Sequence, residues 1–104
     1  LGPFVVPAAF VPDPQNLGVQ FSLNGELMQD GTTSLMTHTV VDLLTFASNM
    51  VTLRPGDPMA TGTPAGVGTA RVPPIYLHAG DRTSCPLEGI GTLSNTVEAL
   101  STDP

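Results

Sequence analysis

Apolar and polar residues alternate without a break over residues 17–23, which is the clearest periodic pattern in the chain. A period of two predicts a strand with one face buried. Asn24-Gly25 comes next, and this dipeptide tolerates the two positive φ angles of a type I′ hairpin turn. We predict that residues 26–29 form the partner strand and that Asp30-Gly31 closes the hairpin.

A period of 3.6 residues replaces the alternation further along the chain. Apolar residues then recur on one helical face, at Met36, Val40, Leu43, Leu44 and Ala47. Thr33 or Ser34 can cap such a helix at its start. We therefore predict one long helix that ends near residue 49, with His38 on its solvated face.

The rest of the chain reads as short strands and tight turns. We predict strands at residues 4–6, 58–61 and 75–77, further strands within residues 85–97, and a turn at residues 54–57. Pro86 cannot donate to a ladder, which suits an edge strand or a weakened one. Repeats and linkers are absent from the sequence, so we predict one β-rich, mixed α+β unit.

Composition narrows the class of protein. The 104 residues suffice for one domain, and 40% of them are hydrophobic, which argues against disorder. The net charge is −6, with three scattered arginines and no lysine, so we expect neither nucleic-acid binding nor a Schiff-base lysine. No apolar run is long enough to cross a bilayer, so we expect no membrane partner. Cys85 is the lone cysteine and cannot form an internal disulfide, which favours a reducing compartment such as the cytoplasm.

Residues 62–68 form the most unusual segment, a loop with three glycines and the hydroxyl of Thr63. Glycine lets backbone approach a ligand closely, and a hydroxyl can bind it. The spacing matches neither a phosphate-binding P-loop nor a dinucleotide fingerprint. A plain turn remains the alternative interpretation of this loop.

The other chemically capable side chains have ordinary explanations. His38 and His78 lie forty residues apart with no converging pair of carboxylates, so a metal site built on them is the minority interpretation. Cys85 is flanked by strand residues, which suits a small buried hydrophobe. The acidic residues fall mostly in predicted turns, where Asp stabilises local geometry.

The order of motifs resembles the fumarylacetoacetate hydrolase family across nearly the whole chain. The resemblance rests on Leu1-Gly2-Pro3-Phe4, Pro12-Asp13-Pro14-Gln15-Asn16-Leu17, Asn24-Gly25-Glu26 with Gln29, Thr33-Ser34 with Met36, Leu53-Arg54-Pro55-Gly56-Asp57, residues 60–68, Gly80-Asp81 and residues 88–95. The run Pro-Gly-Asp followed by Thr-Gly-Thr-Pro-x-Gly-Val-Gly is rare elsewhere.

The resemblance implies a mixed β-roll or sandwich and an Mg²⁺- or Mn²⁺-dependent enzyme acting on small oxo-acids. The implied reactions are hydrolytic C–C cleavage, as in aromatic catabolism, decarboxylation and keto-enol isomerisation. A divalent cation chelated by substrate oxygens would act as a Lewis acid. Thr63 is implied to bind the substrate's oxygens, with Gly62 and Pro64 shaping the loop that presents it.

The family's metal ligands and its catalytic lysine lie upstream of the Leu1-Gly2-Pro3-Phe4 segment. We therefore interpret residues 1–104 as the C-terminal portion of one such catalytic domain, with no catalytic residue and no metal ligand of its own. Whether this chain alone is an enzyme stays open. Its expected partners are the missing N-terminal half or further copies of itself. The alternative is a non-catalytic remnant that serves as a binding or oligomerisation module.

Overall fold

The computed structural model of the protein describes residues 2–100, so Leu1 and residues 101–104 lie outside the described part. Within it the chain forms four strands and one α-helix: β1 (Gly18–Leu23), β2 (Glu26–Thr32), α1 (Val40–Met50), β3 (Arg82–Leu87) and β4 (Gly91–Thr96). Single-turn 3-10 helices lie at Ala8–Phe10, Thr33–Leu35 and Gly68–Ala70. No helix among these residues has the length and apolarity to cross a bilayer.

The predicted hairpin is confirmed. Asn24 and Gly25 have φ angles of 52° and 85°, the double positive φ of a type I′ turn, between antiparallel β1 and β2. The predicted end of the hairpin is wrong, because β2 continues to Thr32. Asp30 and Gly31 pair with β1 inside the ladder instead of turning away from it.

A β-bulge interrupts this hairpin at Met28. Phe21 pairs with Gln29 and Ser22 pairs with Leu27, so Met28 is an extra residue opposite β1. Met28 is also the one apolar side chain within residues 2–100 that is buried, with 7% of its surface exposed. The bulge therefore releases the backbone of Met28 from the ladder while its side chain packs inward.

The four strands form one antiparallel sheet in the order β2-β1-β3-β4. Pro86 lies in β3, an interior strand, so the edge-strand interpretation is wrong. The weakened-strand interpretation is confirmed, because the pairing of β1 with β3 is interrupted. Val19 pairs with Leu87 and Ser22 pairs with Ser84, but the residues between these two pairs do not form regular pairs across the two strands. Pro86 lies in that gap, where its missing N–H costs the sheet least.

The helix exists, but its predicted start is wrong. It begins at Val40, not near residue 33, and residues Thr33–Leu35 form a separate 3-10 turn. Thr39 and Asp42 make a capping box, in which the Thr39 hydroxyl accepts from the Asp42 N–H (3.1 Å) and the Asp42 carboxylate accepts from the Thr39 N–H (3.0 Å). His38 therefore precedes the helix instead of lying on its solvated face.

The strands predicted at residues 4–6, 58–61 and 75–77 do not form among the described residues. Apolar content misled here, because a strand needs a hydrogen-bonded neighbour as well as apolar side chains. The Ile75 N–H instead donates to the Gly68 carbonyl at 3.0 Å, which ties residues 75–77 to the glycine-rich loop.

The fold is open. Its accessible surface is 8169 Å², against about 5,500 Å² for a compact protein of this mass, and its radius of gyration is 16.0 Å, against about 13 Å. Large apolar side chains on and beside α1 are well exposed, among them Leu35, Val41, Phe46, Met50 and Val51. Exposed apolar surface on this scale is typical of a unit that packs against further protein.

Candidate functional site

The glycine-rich loop lies against β2, where one side chain holds it. The Gln29 Nε2 amide donates to the Thr63 hydroxyl oxygen at 2.9 Å and to the Pro64 carbonyl oxygen at 2.6 Å. One amide group thus uses both of its hydrogens on consecutive residues of the loop. The Thr63 side chain is fixed in place although the residue itself is exposed.

Arg71 holds the other end of the same loop. Its Nε donates to the Gly66 carbonyl oxygen at 3.1 Å, and its Nη2 donates to the Met28 carbonyl oxygen. The Met28 carbonyl lies at the bulge, outside the regular pairing of β1 with β2. The bulge therefore presents a backbone acceptor and the Gln29 side chain to the loop side by side.

Two glycines allow the loop to approach β2 this closely. Gly66 has φ of 104°, and a Cβ on it would overlap the Met28 carbonyl oxygen. A Cβ on Gly31 would lie 2.8 Å from the Pro64 Cβ, which is closer than carbon atoms pack. Any larger residue at either position would push the loop off the strand.

A cavity of about 350 Å³ opens beside this loop. Its polar lining residues are Gln29, Thr63 and Thr69. Most of its remaining lining is apolar and comes from Phe21, Leu23, Met28, Val67, Ile75, Tyr76 and Leu77. A concave, mostly apolar site with a few polar groups suits a small organic ligand that carries one polar end.

The three residues expected to bind substrate have different surroundings in the structure. Thr63 lines the cavity, Pro64 packs on Gly31, and Gly62 precedes them with φ of 108°. The substrate-binding role of all three remains a prediction. The geometry adds that the loop carrying Thr63 is fixed at both ends.

No group of three or more His, Cys, Asp and Glu side chains comes together within residues 2–100 in a way that could hold a metal ion. Several carboxylates instead accept hydrogen bonds from other groups of the chain. Asn24 Nδ2 and the His78 N–H both donate to Asp81, and these hydrogen bonds hold the pKa of Asp81 below its ordinary value. Thr39 lowers the pKa of Asp42 in the same way.

Neither histidine nor the cysteine lies within a cluster of possible metal ligands among the described residues. His78 Nδ1 is 3.9 Å from the Asp81 carboxylate, and His38 is exposed. Cys85 is a half-buried free thiol that lines a second, largely apolar cavity of about 300 Å³. The donor set of the described residues therefore does not fit a divalent cation.

Sequence reasoning missed Arg71 and undervalued Gln29. In the sequence Arg71 is one of three scattered arginines, because its partners are backbone carbonyl groups, which every residue type has. Gln29 is a member of the quoted motif, but its role depends on the bulge at Met28. In the sequence, the adjacent apolar residues Leu27 and Met28 are the one sign of that bulge, because they break the alternation along β2.

The chain matches a known protein family over almost its whole length. The family described as fumarylacetoacetate (FAA) hydrolase C-terminal matches residues 1–98. The chain is 44% identical over 97 residues to oxaloacetate tautomerase fahd2, mitochondrial, of Xenopus laevis, which covers 93% of this chain and 30% of that protein. The chain thus spans about a third of the length of such relatives.

Solved structures share the fold. Fumarylacetoacetate hydrolase from Exiguobacterium antarcticum superposes with a TM-score of 0.90 at 47% identity, over 95% of this chain and 35% of that one. Maleylpyruvate hydrolase from Sphingobium sp. SYK-6, in complex with manganese(II) and pyruvate, gives 0.83 at 33% identity, over 93% and 34%. These matches confirm the predicted fold class, here a four-stranded antiparallel sheet with one helix. The chain belongs to the fumarylacetoacetate hydrolase family.

Proposed function

We propose that this chain forms one wall of the substrate pocket in a fumarylacetoacetate hydrolase-family enzyme that acts on small oxo-acids. We call this chain, joined to the part of such a domain that it does not span, the assembled enzyme. The observation that carries the proposal is the Thr63 hydroxyl, which lines the 350 Å³ cavity on a loop fixed by Gln29 and Arg71.

The cavity suits an oxo-acid for two reasons. Thr63 provides a hydroxyl that can bind a carboxylate or keto oxygen, and the Gln29 amide holds that hydroxyl in place. The apolar residues of the lining, such as Phe21 and Leu23, suit the carbon skeleton of the same molecule. Relatives named for oxaloacetate and maleylpyruvate act on molecules of this kind.

The divalent cation belongs, in this proposal, to residues beyond those described here. The manganese complex of the Sphingobium relative supports a cation in the family, and the described carboxylates and histidines do not fit one. When bound, Mg²⁺ or Mn²⁺ would supply Lewis-acid chemistry. The role of this chain is to bind and orient the substrate through Thr63, while Gly62 and Pro64 set the path of the loop.

The alternative is that the chain serves as a non-catalytic binding or oligomerisation module. Its exposed apolar surface around α1 favours association in either case. For location we propose a reducing compartment, the cytoplasm, because Cys85 is a free thiol. The Xenopus relative is named as mitochondrial.

A chimera tests the proposal. This chain replaces the matching third of the Exiguobacterium antarcticum enzyme, to which it is 47% identical. We expect the purified chimera, supplied with MnCl₂, to convert oxaloacetate or an acylpyruvate, with rates separated by assays for hydrolysis, decarboxylation and tautomerisation. A folded chimera that is inactive in all three assays would contradict the proposal and favour the binding module.

A further inference from the structure

We propose that Gln29 is a positioning residue that fixes the Thr63 hydroxyl as a hydrogen-bond donor, so that this side of the cavity selects an anionic acceptor oxygen. The inference rests on the proposed function, because the acceptor it names is a carboxylate or enolate oxygen of the oxo-acid. It assigns to Gln29 a role that acts through Thr63.

The direction of the hydrogen bond follows from Pro64. A carbonyl oxygen can only accept, so the group 2.6 Å from the Pro64 oxygen must be the NH₂ of Gln29 and not its carbonyl. The same Nε2 lies 2.9 Å from the Thr63 hydroxyl oxygen. An amide nitrogen does not accept, so Thr63 is the acceptor of that bond as well.

The Thr63 proton is therefore free to point away from β2. The hydroxyl has one hydrogen, and neither Gln29 nor Pro64 takes it. Thr63 is exposed and lines the cavity, so a ligand there meets a donor. The Arg71 guanidinium donates to the carbonyls of Gly66 and Met28, two residues that line the cavity, so its positive charge lies next to this lining. Both features favour an anionic oxygen.

The bulge makes this arrangement possible. It sets Met28 outside the pairing with β1, so that Arg71 can use the Met28 carbonyl while the next residue, Gln29, holds Thr63 and Pro64. Two consecutive residues of β2 thus fix both ends of one loop.

A double-mutant cycle in the assembled enzyme tests the inference. The dissociation constant for pyruvate and the kcat and KM for oxaloacetate are measured with MnCl₂ for the parent, Gln29→Met, Thr63→Val and the double variant. Gln20→Met is the matched control, because Gln20 bonds Asp30 within the hairpin and not the loop.

We expect Gln29→Met to weaken pyruvate binding about five- to tenfold and to act mainly on KM. The double variant should bind within about twofold of Thr63→Val, because a residue that acts through Thr63 has nothing left to position. Gln20→Met should match the parent. Additive losses, or a Gln29→Met variant that binds like the control, would overturn the inference.

Two further measurements keep the result decisive. If Gln29→Met does not fold, Gln29→Glu replaces it. This variant should bind pyruvate more weakly than the parent, because a carboxylate takes the Thr63 proton. Parent-like binding overturns the inference.

If the parent does not bind pyruvate, the proposed function fails on its own. The side-chain amide NMR signals of Gln29 then decide: a shift in Thr63→Val, with Gln20 unmoved, supports the positioning contact, and no shift overturns it.

Discussion

Asn24 Nδ2 donates a hydrogen bond of 2.8 Å to Asp81 Oδ1, joining the hairpin turn to the start of β3 across 57 residues of sequence. The Asn24 side chain also accepts from the Arg82 N–H at 2.9 Å. The turn residue thus sets the φ angles of the hairpin and holds the third strand beside it.

We predict that Asn24→Val destabilises the assembled enzyme. A β-branched residue resists φ of 52°, at a cost of about 1–2 kcal/mol, and the side-chain bonds to Asp81 and Arg82 are lost as well. The matched control is Asn24→Gly, which loses the same bonds but tolerates the angle. Urea unfolding should rank the parent above Asn24→Gly, and Asn24→Gly above Asn24→Val. Equal midpoints for Asn24→Val and the parent would mean that the turn is assigned wrongly.

Asp81 should give the protein an acid-sensitive contact. The hydrogen bonds from Asn24 and from the His78 N–H hold the pKa of Asp81 below its ordinary value in the folded state. A lowered pKa stabilises the fold while the carboxylate is ionised, and this contribution is lost as the pH falls from the unfolded pKa through the folded pKa. The urea midpoint of the parent should therefore fall more steeply below about pH 4 than that of Asp81→Asn. Parallel pH profiles for the two proteins would contradict this.

Gly66 should be far less replaceable than Gly62, although both have positive φ. A Cβ at Gly66 meets the Met28 carbonyl oxygen, whereas a Cβ at Gly62 meets nothing within 4 Å. Backbone strain of about 1–2 kcal/mol is common to both alanine variants, and the clash is confined to one. We expect Gly66→Ala to speed amide exchange across residues 62–68 and to weaken pyruvate binding several-fold more than Gly62→Ala. The same result for both variants would show that the close approach of Gly66 to the Met28 carbonyl does not hold the loop in place.

The chain alone should not bind Mn²⁺ tightly or turn over oxo-acids. Divalent cations of this kind need converging carboxylates, and the described carboxylates do not converge. Calorimetric titration of the isolated chain with MnCl₂ should give no 1:1 binding at micromolar cation. Tight stoichiometric binding, or turnover of oxaloacetate by the chain, would require a metal site within residues 1–104.

Local rules predicted the local parts of this fold. Alternation and Asn24-Gly25 predicted the hairpin turn, since both depend on neighbours in sequence. The start of α1 was predicted wrongly because Thr33 and Ser34 are cap residues by type, whereas the capping box of Thr39 with Asp42 begins the helix at Val40.

Long-range contacts could not be predicted in this way. The hydrogen bonds from Gln29 and Arg71 that hold the glycine-rich loop are accepted by the backbone carbonyls of Met28, Pro64 and Gly66. Every residue type has a backbone carbonyl, so the sequence does not mark these acceptors. The motif resemblance predicts a substrate-binding role for Thr63 but says nothing of the residues that hold it. Only the fold brings Gln29 and Arg71 to that loop.

The central claim is that the Thr63 hydroxyl binds the substrate. In the assembled enzyme, Thr63→Val keeps the shape of the side chain and removes the hydroxyl, and Thr63→Ser is the control that keeps it. Loss of a hydrogen bond to a charged substrate group costs about 1.5–3 kcal/mol, which is roughly a ten- to hundredfold fall in kcat/KM. We expect that fall for Thr63→Val with most of the activity retained in Thr63→Ser. An unchanged kcat/KM in Thr63→Val would remove Thr63 from the site and contradict the account.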